Sequence, residues 1–233
     1  TLPSRLEDRK LLTGSASNDN LYAGEGADIV RAGSGADTIS LSSSDTFDSS
    51  LVALNVKTEG RIALDGKTNY SSVMDGGADV DTVELTDSSD AFFLHDSFSG
   101  FHSSLTLVED YDGRLGTARI ANIENINSGA GDDIVDLTSP NYSLEDQNIT
   151  VDGGSGDDTL WGSDANETLK GGVDDDVLFG GAGTNVLTGG AGADEFQFTG
   201  SSIDDTITDF SLSDGDTLKF FNTGGAQFNR GSV

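Results

Sequence analysis

Residues 153–197 divide without remainder into five nine-residue units: GGSGDDTLW, GSDANETLK, GGVDDDVLF, GGAGTNVLT and GGAGADEFQ. Three more run from Gly14 to Ser40 (GSASNDNLY, AGEGADIVR, AGSGADTIS), and single copies stand at 76–84 (GGADVDTVE) and 128–136 (SGAGDDIVD). The eighth position is apolar in all ten: Leu21, Val30, Ile39, Val83, Val135, Leu160, Leu169, Leu178, Leu187 and Phe196. The sixth is Asp in eight of them, with Glu167 and Asn185 the exceptions. So strict a period admits few folds. Each unit is too small to bury its apolar residue alone and has to stack on its neighbours. A flexible acidic linker has no reason to place an apolar residue at every eighth position.

The pattern glycine-glycine-x-glycine-x-aspartate-x-apolar-x resembles the repeat-in-toxin (RTX) nonapeptide. The resemblance implies an all-β chain wound as a right-handed parallel β-roll, a β-solenoid, that binds several calcium ions. The residues fit that picture physically. Glycines permit the positive φ angles of a tight turn and let carbonyl oxygens converge on an ion. The sixth-position carboxylate adds a hard, charged oxygen, and positions seven to nine make a short strand whose middle side chain points inward. One unit is then half a coil, and two make a turn of eighteen residues.

Parity places the loops. Every second unit lies on the same edge, so Asp158, Asp176 and Asp194 share one edge and Glu167 and Asn185 the opposite one. By the same count Asp19 and Asp37 share an edge, with Asp28 opposite. Calcium sites are expected between Asp158 and Asp176 and between Asp176 and Asp194, with the Glu167/Asn185 edge weaker or altered in geometry. By the family resemblance, carbonyls of loop positions two and four join the carboxylate. These are Gly154 and Gly156, Gly172 and Asp174, Gly190 and Gly192, and Gly33 and Gly35. Asp81 and Asp133 are the carboxylates of the two isolated copies.

Composition agrees with an ion-stabilised fold. Forty-one acidic against 12 basic side chains give a net charge of −29, and 31 glycines raise the entropy cost of folding. That charge excludes a nucleic-acid partner, which needs a basic face to release counterions. No apolar run approaches the ~20 residues that span a bilayer, so membrane insertion is not expected. The chain has no cysteine, which removes disulfides and thiol chemistry. Its only methionine is Met74 and it shows no signal-peptide pattern, as expected of a fragment of a longer chain.

The stretches 41–75 and 85–127 interrupt the period. Their apolar segments SLVALNV (50–56), AFFLH (91–95) and SLTLVED (104–110) read as strands, and Ile120, Ile123 and Ile126 recur three apart. They are expected as extended coils and bulged loops of one elongated roll domain spanning 1–233. After Gln197, residues 198–221 form the expected cap, with two strands around a Ser-Asp-Gly turn within 204–221. Trp161 and Phe179 both occupy ninth positions two units apart, which predicts outward-facing neighbours on one sheet, covered by the cap through Phe210, Phe220 and Phe221. DGKT (65–68) lacks the earlier glycine of a P-loop and reads as a turn, and His95 and His102 have no HExxH around them. With no GxSxG either, no enzymatic activity is expected.

The interrupted layout over residues 76–210 is similar to the C-terminal region of large RTX adhesins of Gram-negative bacteria. That resemblance implies a monomeric structural module, secreted by the type I route to the cell surface of biofilm-forming cells. Its partners would be calcium and neighbouring adhesin modules of the same chain, with 55–75 a place where a ligand-binding module could be inserted. The alternative is a calcium-binding accessory module of a secreted enzyme such as an alginate epimerase. A surface of net charge −29 argues against direct uronate binding unless calcium bridges.

Overall fold

The computed structural model describes residues 10–43, 46–47, 52–54, 61–70, 72–94, 118–139, 143–144, 147–200 and 204–221. Every regular element among them is a strand, and the sheets are parallel except for one antiparallel pair. The longest sheet has eight strands. In order they are β2 (Asn20–Ala23), β4 (Thr38–Leu41), β9 (Thr82–Glu84), β12 (Asn125–Asn127), β14 (Thr150–Ser155), β16 (Thr168–Val173), β18 (Val186–Ala191) and β20 (Thr206–Ile207). Its inward column is Leu21, Ile39, Val83, Ile126, Val151, Leu169, Leu187 and Ile207, each in register with the next.

Two sheets share the core with it. Four strands, β1 (Leu11–Thr13), β3 (Ile29–Ser34), β8 (Val73–Ala78) and β11 (Ile120–Ala121), serve the N-terminal coils. Seven strands serve the rest: β7 (Thr68–Asn69), β10 (Asp90–Phe93), β13 (Ile134–Asp136), β15 (Thr159–Trp161), β17 (Val177–Phe179), β19 (Glu195–Phe198) and β21 (Thr217–Phe220). Nine of the ten eighth-position residues are buried, at 1% exposure or less, and Leu21 packs against the same core at its end. This is a parallel β-roll.

The two interruptions do different work. Within 85–127, β10, β11 and β12 are rungs, and Ile120, Ile123 and Ile126 are all buried. From β9 the chain visits the seven-stranded sheet, then the four-stranded sheet, before returning to the long sheet. That extra side gives three strands to the coil where the dense repeats have two, and it changes which sheet carries the glycine-ended strands. IVRAGS and VMDGGA lie in the four-stranded sheet, whereas TVDGGS, TLKGGV and VLTGGA lie in the long one. SLTLVED, His95 and His102 fall outside the described residues.

The described residues among 46–70 form a cover. β5 (Val52–Leu54) and β6 (Arg61–Ala63) pair antiparallel, DGKT turns at Gly66 (φ 73°), and Phe47 bridges to Asp65. The cover seals the outer face of the seven-stranded sheet. Trp161 and Phe179 are cross-strand neighbours, as the period predicts, and are 2% and 0% exposed. The cap does not bury them, contrary to expectation. They pack in a second core with Phe47, Leu64, Ala91, Phe93, Ile134 and Ile62, in which Phe47 meets Phe93 edge to face at 6.2 Å. Phe210 lies instead against Phe196 and Phe220 on Phe198, at the C-terminal end of the roll. Residues 61–70, within the stretch read as an insertion point, belong to this cover. The cap's own strands, β20 and β21, add parallel rungs to two different sheets.

Trp161→Ala is expected to destabilise the calcium-loaded protein by roughly 3–5 kcal/mol, as large-to-small changes in packed cores do. Thermal melting checks this, with Trp161→Phe expected to retain most of the stability.

Candidate metal centre

The loops stack so that sixth-position side chains accept the backbone N–H of their counterparts one coil earlier. On the first edge, Asp19 N–H donates to Asp37 Oδ1 (2.7 Å), Asp37 N–H to Asp81 Oδ1 (2.8 Å) and Asp81 N–H to Glu124 Oε2 (2.8 Å). The second edge is longer. Its N–H donors, from Asp90, Asp133, Asp158, Asp176 and Asp194, reach Oδ1 of Asp133, Asp158, Asp176, Asp194 and Asp216 at 2.7, 2.8, 2.9, 3.0 and 3.1 Å. A third edge runs from Glu167 N–H to Asn185 Oδ1 (2.8 Å) and from Asn185 N–H to Asp205 Oδ1 (3.1 Å). Asp28 lies on the remaining side, where its Oδ1 accepts Lys10 N–H at 2.8 Å. Parity thus sorts the loops of each dense array as the sequence predicts, and the structure adds Asp81 to the Asp19/Asp37 edge and Asp133 to the Asp158 edge.

Four ladder members, Asp90, Glu124, Asp205 and Asp216, escape a glycine-based reading. Each stands two residues before an apolar side chain in register with the inward column (Phe92, Ile126, Ile207 and, exposed on the last rung, Leu218), which is the spacing of positions six and eight. LTDSSDAFF (85–93) even follows 76–84 in phase, with only its glycines missing. The acid-x-apolar pair was the usable signal.

On the two main edges, the second carboxylate oxygen differs between five interior loops and the loops that close the ends; on the third edge Glu167 Oε2 and Asp205 Oδ2 are also buried without a partner among the described residues. At Asp37, Asp81, Asp133, Asp158 and Asp176, Oδ2 is buried with no hydrogen-bond partner among the described residues. At the ends the loop closes on itself. Asp19 Oδ2 accepts Ser15 N–H (2.6 Å) and Oγ–H (2.9 Å), Asp90 Oδ2 accepts Thr86 N–H (2.8 Å), and Asp216 Oδ2 accepts Ser211 N–H (2.7 Å). Asn185 is also satisfied internally, since its Nδ2 donates to Asp205 Oδ1 at 2.8 Å.

A buried carboxylate oxygen without a partner is costly, because the water it gave up is not replaced. Burial accordingly pushes Asp133 and Asp176 up to about 8 and Asp158 and Glu167 up to about 7, with neighbouring carboxylates adding to the rise. A cation against these oxygens would reverse the shift.

The backbone around them suits such an ion. Every predicted carbonyl donor has positive φ: Gly33 112°, Gly35 106°, Gly154 97°, Gly156 118°, Gly172 124°, Asp174 82°, Gly190 109° and Gly192 151°. At Gly172 a Cβ would lie 2.2 Å from Gly154 O, and at Gly171 it would lie 2.1 Å from the unpartnered Asp176 Oδ2. No side chain fits there. Among the described residues no three His, Cys, Asp or Glu side chains converge on one point. The donors at hand, single carboxylates and the backbone carbonyls of the turns, are all hard oxygen, which matches the flexible six- to eight-oxygen shells of calcium better than the strict octahedron of magnesium. The residues present fit calcium.

The family model of the RTX calcium-binding nonapeptide repeat matches residues 11–39, 150–166 and 161–196. No curated protein matches the chain. The rungs at Asp81, Asp90 and Asp133 lie outside the matched stretches yet continue the same ladders. Over those stretches the chain carries RTX nonapeptide repeats of the calcium-binding kind, wound here as a parallel β-roll.

Proposed function

We infer that this chain is a structural module of a secreted, cell-surface adhesin, folded by calcium outside the cell and serving to hold or space ligand-binding modules of the same chain. The observation that carries the calcium dependence is the row of buried, unpartnered carboxylate oxygens at Asp37, Asp81, Asp133, Asp158 and Asp176. In a calcium-poor cytosol these acids repel one another and the chain stays open, suited to type I secretion. Outside, Asp158, Asp176 and Asp194, with the carbonyls of Gly154, Gly156, Gly172, Asp174, Gly190 and Gly192, hold ions between coils. Asp37 and Asp81, with Gly33 and Gly35, do the same on the first edge. Bound calcium supplies the positive charge that lets ionised carboxylates remain buried. The role proposed is mechanical, with no catalytic residue assigned.

Asp176→Asn tests this reading because its sign changes with calcium. Asn185 demonstrates that Asn keeps the inter-coil hydrogen bond at this position. In calcium-free buffer the variant is expected to be as stable as the parent or more so, since a buried charge is gone. In calcium at ten times the site's dissociation constant it is expected to lose ~1.4 kcal/mol for each site removed. Equal destabilisation in both buffers would sink the calcium role of Asp176. The adhesin assignment is tested by the flanking chain: tandem extender repeats support it, and a catalytic domain upstream overturns it in favour of an enzyme's accessory module.

A further inference from the structure

All three ladders begin with the same loop chemistry. Their first members are Asp19, Asp90 and Glu167, and among the described residues none of these accepts a backbone N–H from an earlier coil. Four residues before each acid stands a hydroxyl residue, Ser15, Thr86 or Ser163. Its N–H donates to the acid, at 2.6 Å to Asp19 Oδ2, 2.8 Å to Asp90 Oδ2 and 3.2 Å to Glu167 Oε1. Its hydroxyl donates to the same oxygen. The hydroxyl oxygen in turn accepts the N–H two residues on, from Ser17, Ser88 or Ala165, at 3.2, 3.2 and 3.0 Å. One motif thus recurs at the start of three different edges.

The loops stacked on these first loops are built differently. At the position of the hydroxyl residue they carry Gly33, Gly129 and Gly181, with φ of 112°, 102° and 92°. A Cβ there would lie 2.3 Å from Ser15 O, 2.5 Å from Thr86 O and 2.1 Å from Ser163 O. A side chain at this position therefore fits only where no ladder loop lies beneath it. Ser15, Thr86 and Ser163 have no positive φ, and neither do Ser17, Ser88 and Ala165.

We propose that Ser15, Thr86 and Ser163 keep calcium out of the gap between the first and second loops of each ladder. The residue four before the acid sets the choice. A hydroxyl residue turns its N–H and O–H onto the carboxylate and uses the oxygen an ion would need, whereas glycine takes the positive-φ turn that offers carbonyls instead. A cation in the first gap would also face the positive ends of those N–H and O–H dipoles. Each ladder is then closed at its start by the chain itself, and ions enter only one loop further on. This inference rests on the calcium reading above.

Calcium bound per chain at saturation is measured by equilibrium dialysis for the parent protein and for S15G/S17G, which restores both glycines of the first loop. The variant is expected to bind one ion more than the parent. An unchanged count overturns the proposal. No calcium bound by the parent overturns instead the reading on which it rests. A second measurement needs no variant: amide hydrogen exchange of the parent in calcium, read by NMR and corrected for random-coil rates. The charge-assisted hydrogen bond should slow Ser15 N–H about tenfold relative to Ala16 N–H, which has no partner among the described residues. Equal rates at Ser15 and Ala16 also overturn the proposal.

Discussion

Titrating calcium into the ion-free chain is expected to produce a cooperative gain of β signal in far-UV circular dichroism, with a midpoint around 10⁻⁴–10⁻³ M, the range of extracellular calcium modules. Magnesium at the same concentration is expected to leave the chain largely open, because it dehydrates reluctantly and demands octahedral geometry. The magnitude follows from the interior carboxylates. Five of them, Asp37, Asp81, Asp133, Asp158 and Asp176, carry unpartnered oxygens on the two main edges. At ten times the dissociation constant each site contributes ~1.4 kcal/mol, or ~7 kcal/mol for about five. The net stability of an ordinary domain is on the order of 5–15 kcal/mol, so the ions decide whether the roll is populated. If the β signal and melting temperature are the same in chelator as in calcium, the two apolar cores alone hold the fold and the ions are accessory.

Acid is expected to substitute in part for calcium. The folded-state values of Asp133 and Asp176, about 8, and of Asp158, about 7, stand above the ordinary 3.8. Glu167, at about 7, stands above its ordinary 4.5. The folded chain therefore binds protons more tightly than the unfolded one. The stability this contributes is complete below about pH 4 and is lost as the pH rises through roughly 7–8. In buffer stripped of calcium by ion exchange, the melting temperature should fall from pH 5 to pH 8. In roughly ten millimolar calcium the order should reverse, because protons then compete with the ion for the same oxygens. Melting curves at several pH values with and without calcium check both arms. A melting temperature that rises with pH in the absence of calcium would mean that these oxygens have partners in solution, and the metal sites would lose their main support.

Much of the candidate site was legible because it is local. A glycine that must turn, an acid four or five residues later and an apolar residue two beyond it are set within a single nonapeptide, and strict repetition fixes which loops fall on the same edge. Asp158, Asp176 and Asp194 could thus be placed together from counting alone. Counting failed where the unit degenerates. Asp90, Glu124, Asp205 and Asp216 hold ladder positions in loops without the glycine pattern, and their hydrogen bonds run to partners 20 to 43 residues away.

The fate of Trp161 and Phe179 was split in the same way. The nine-residue period alone determined that they are neighbours on the outer face of one sheet, since strand alternation leaves no other place for ninth-position side chains. That they are sealed by Phe47, Ile62 and Leu64 was decided only in three dimensions, because aperiodic segments carry no count from which to read their landing place. The same holds for the three-sided coils between the arrays and for Lys67 on the carbonyl of Asp132. Repetition encodes contacts between successive coils, so those follow from sequence. Contacts between the roll and its interruptions depend on which surface buries the most apolar area and leaves the fewest charges unpaired, and that balance is struck only by the whole folded chain.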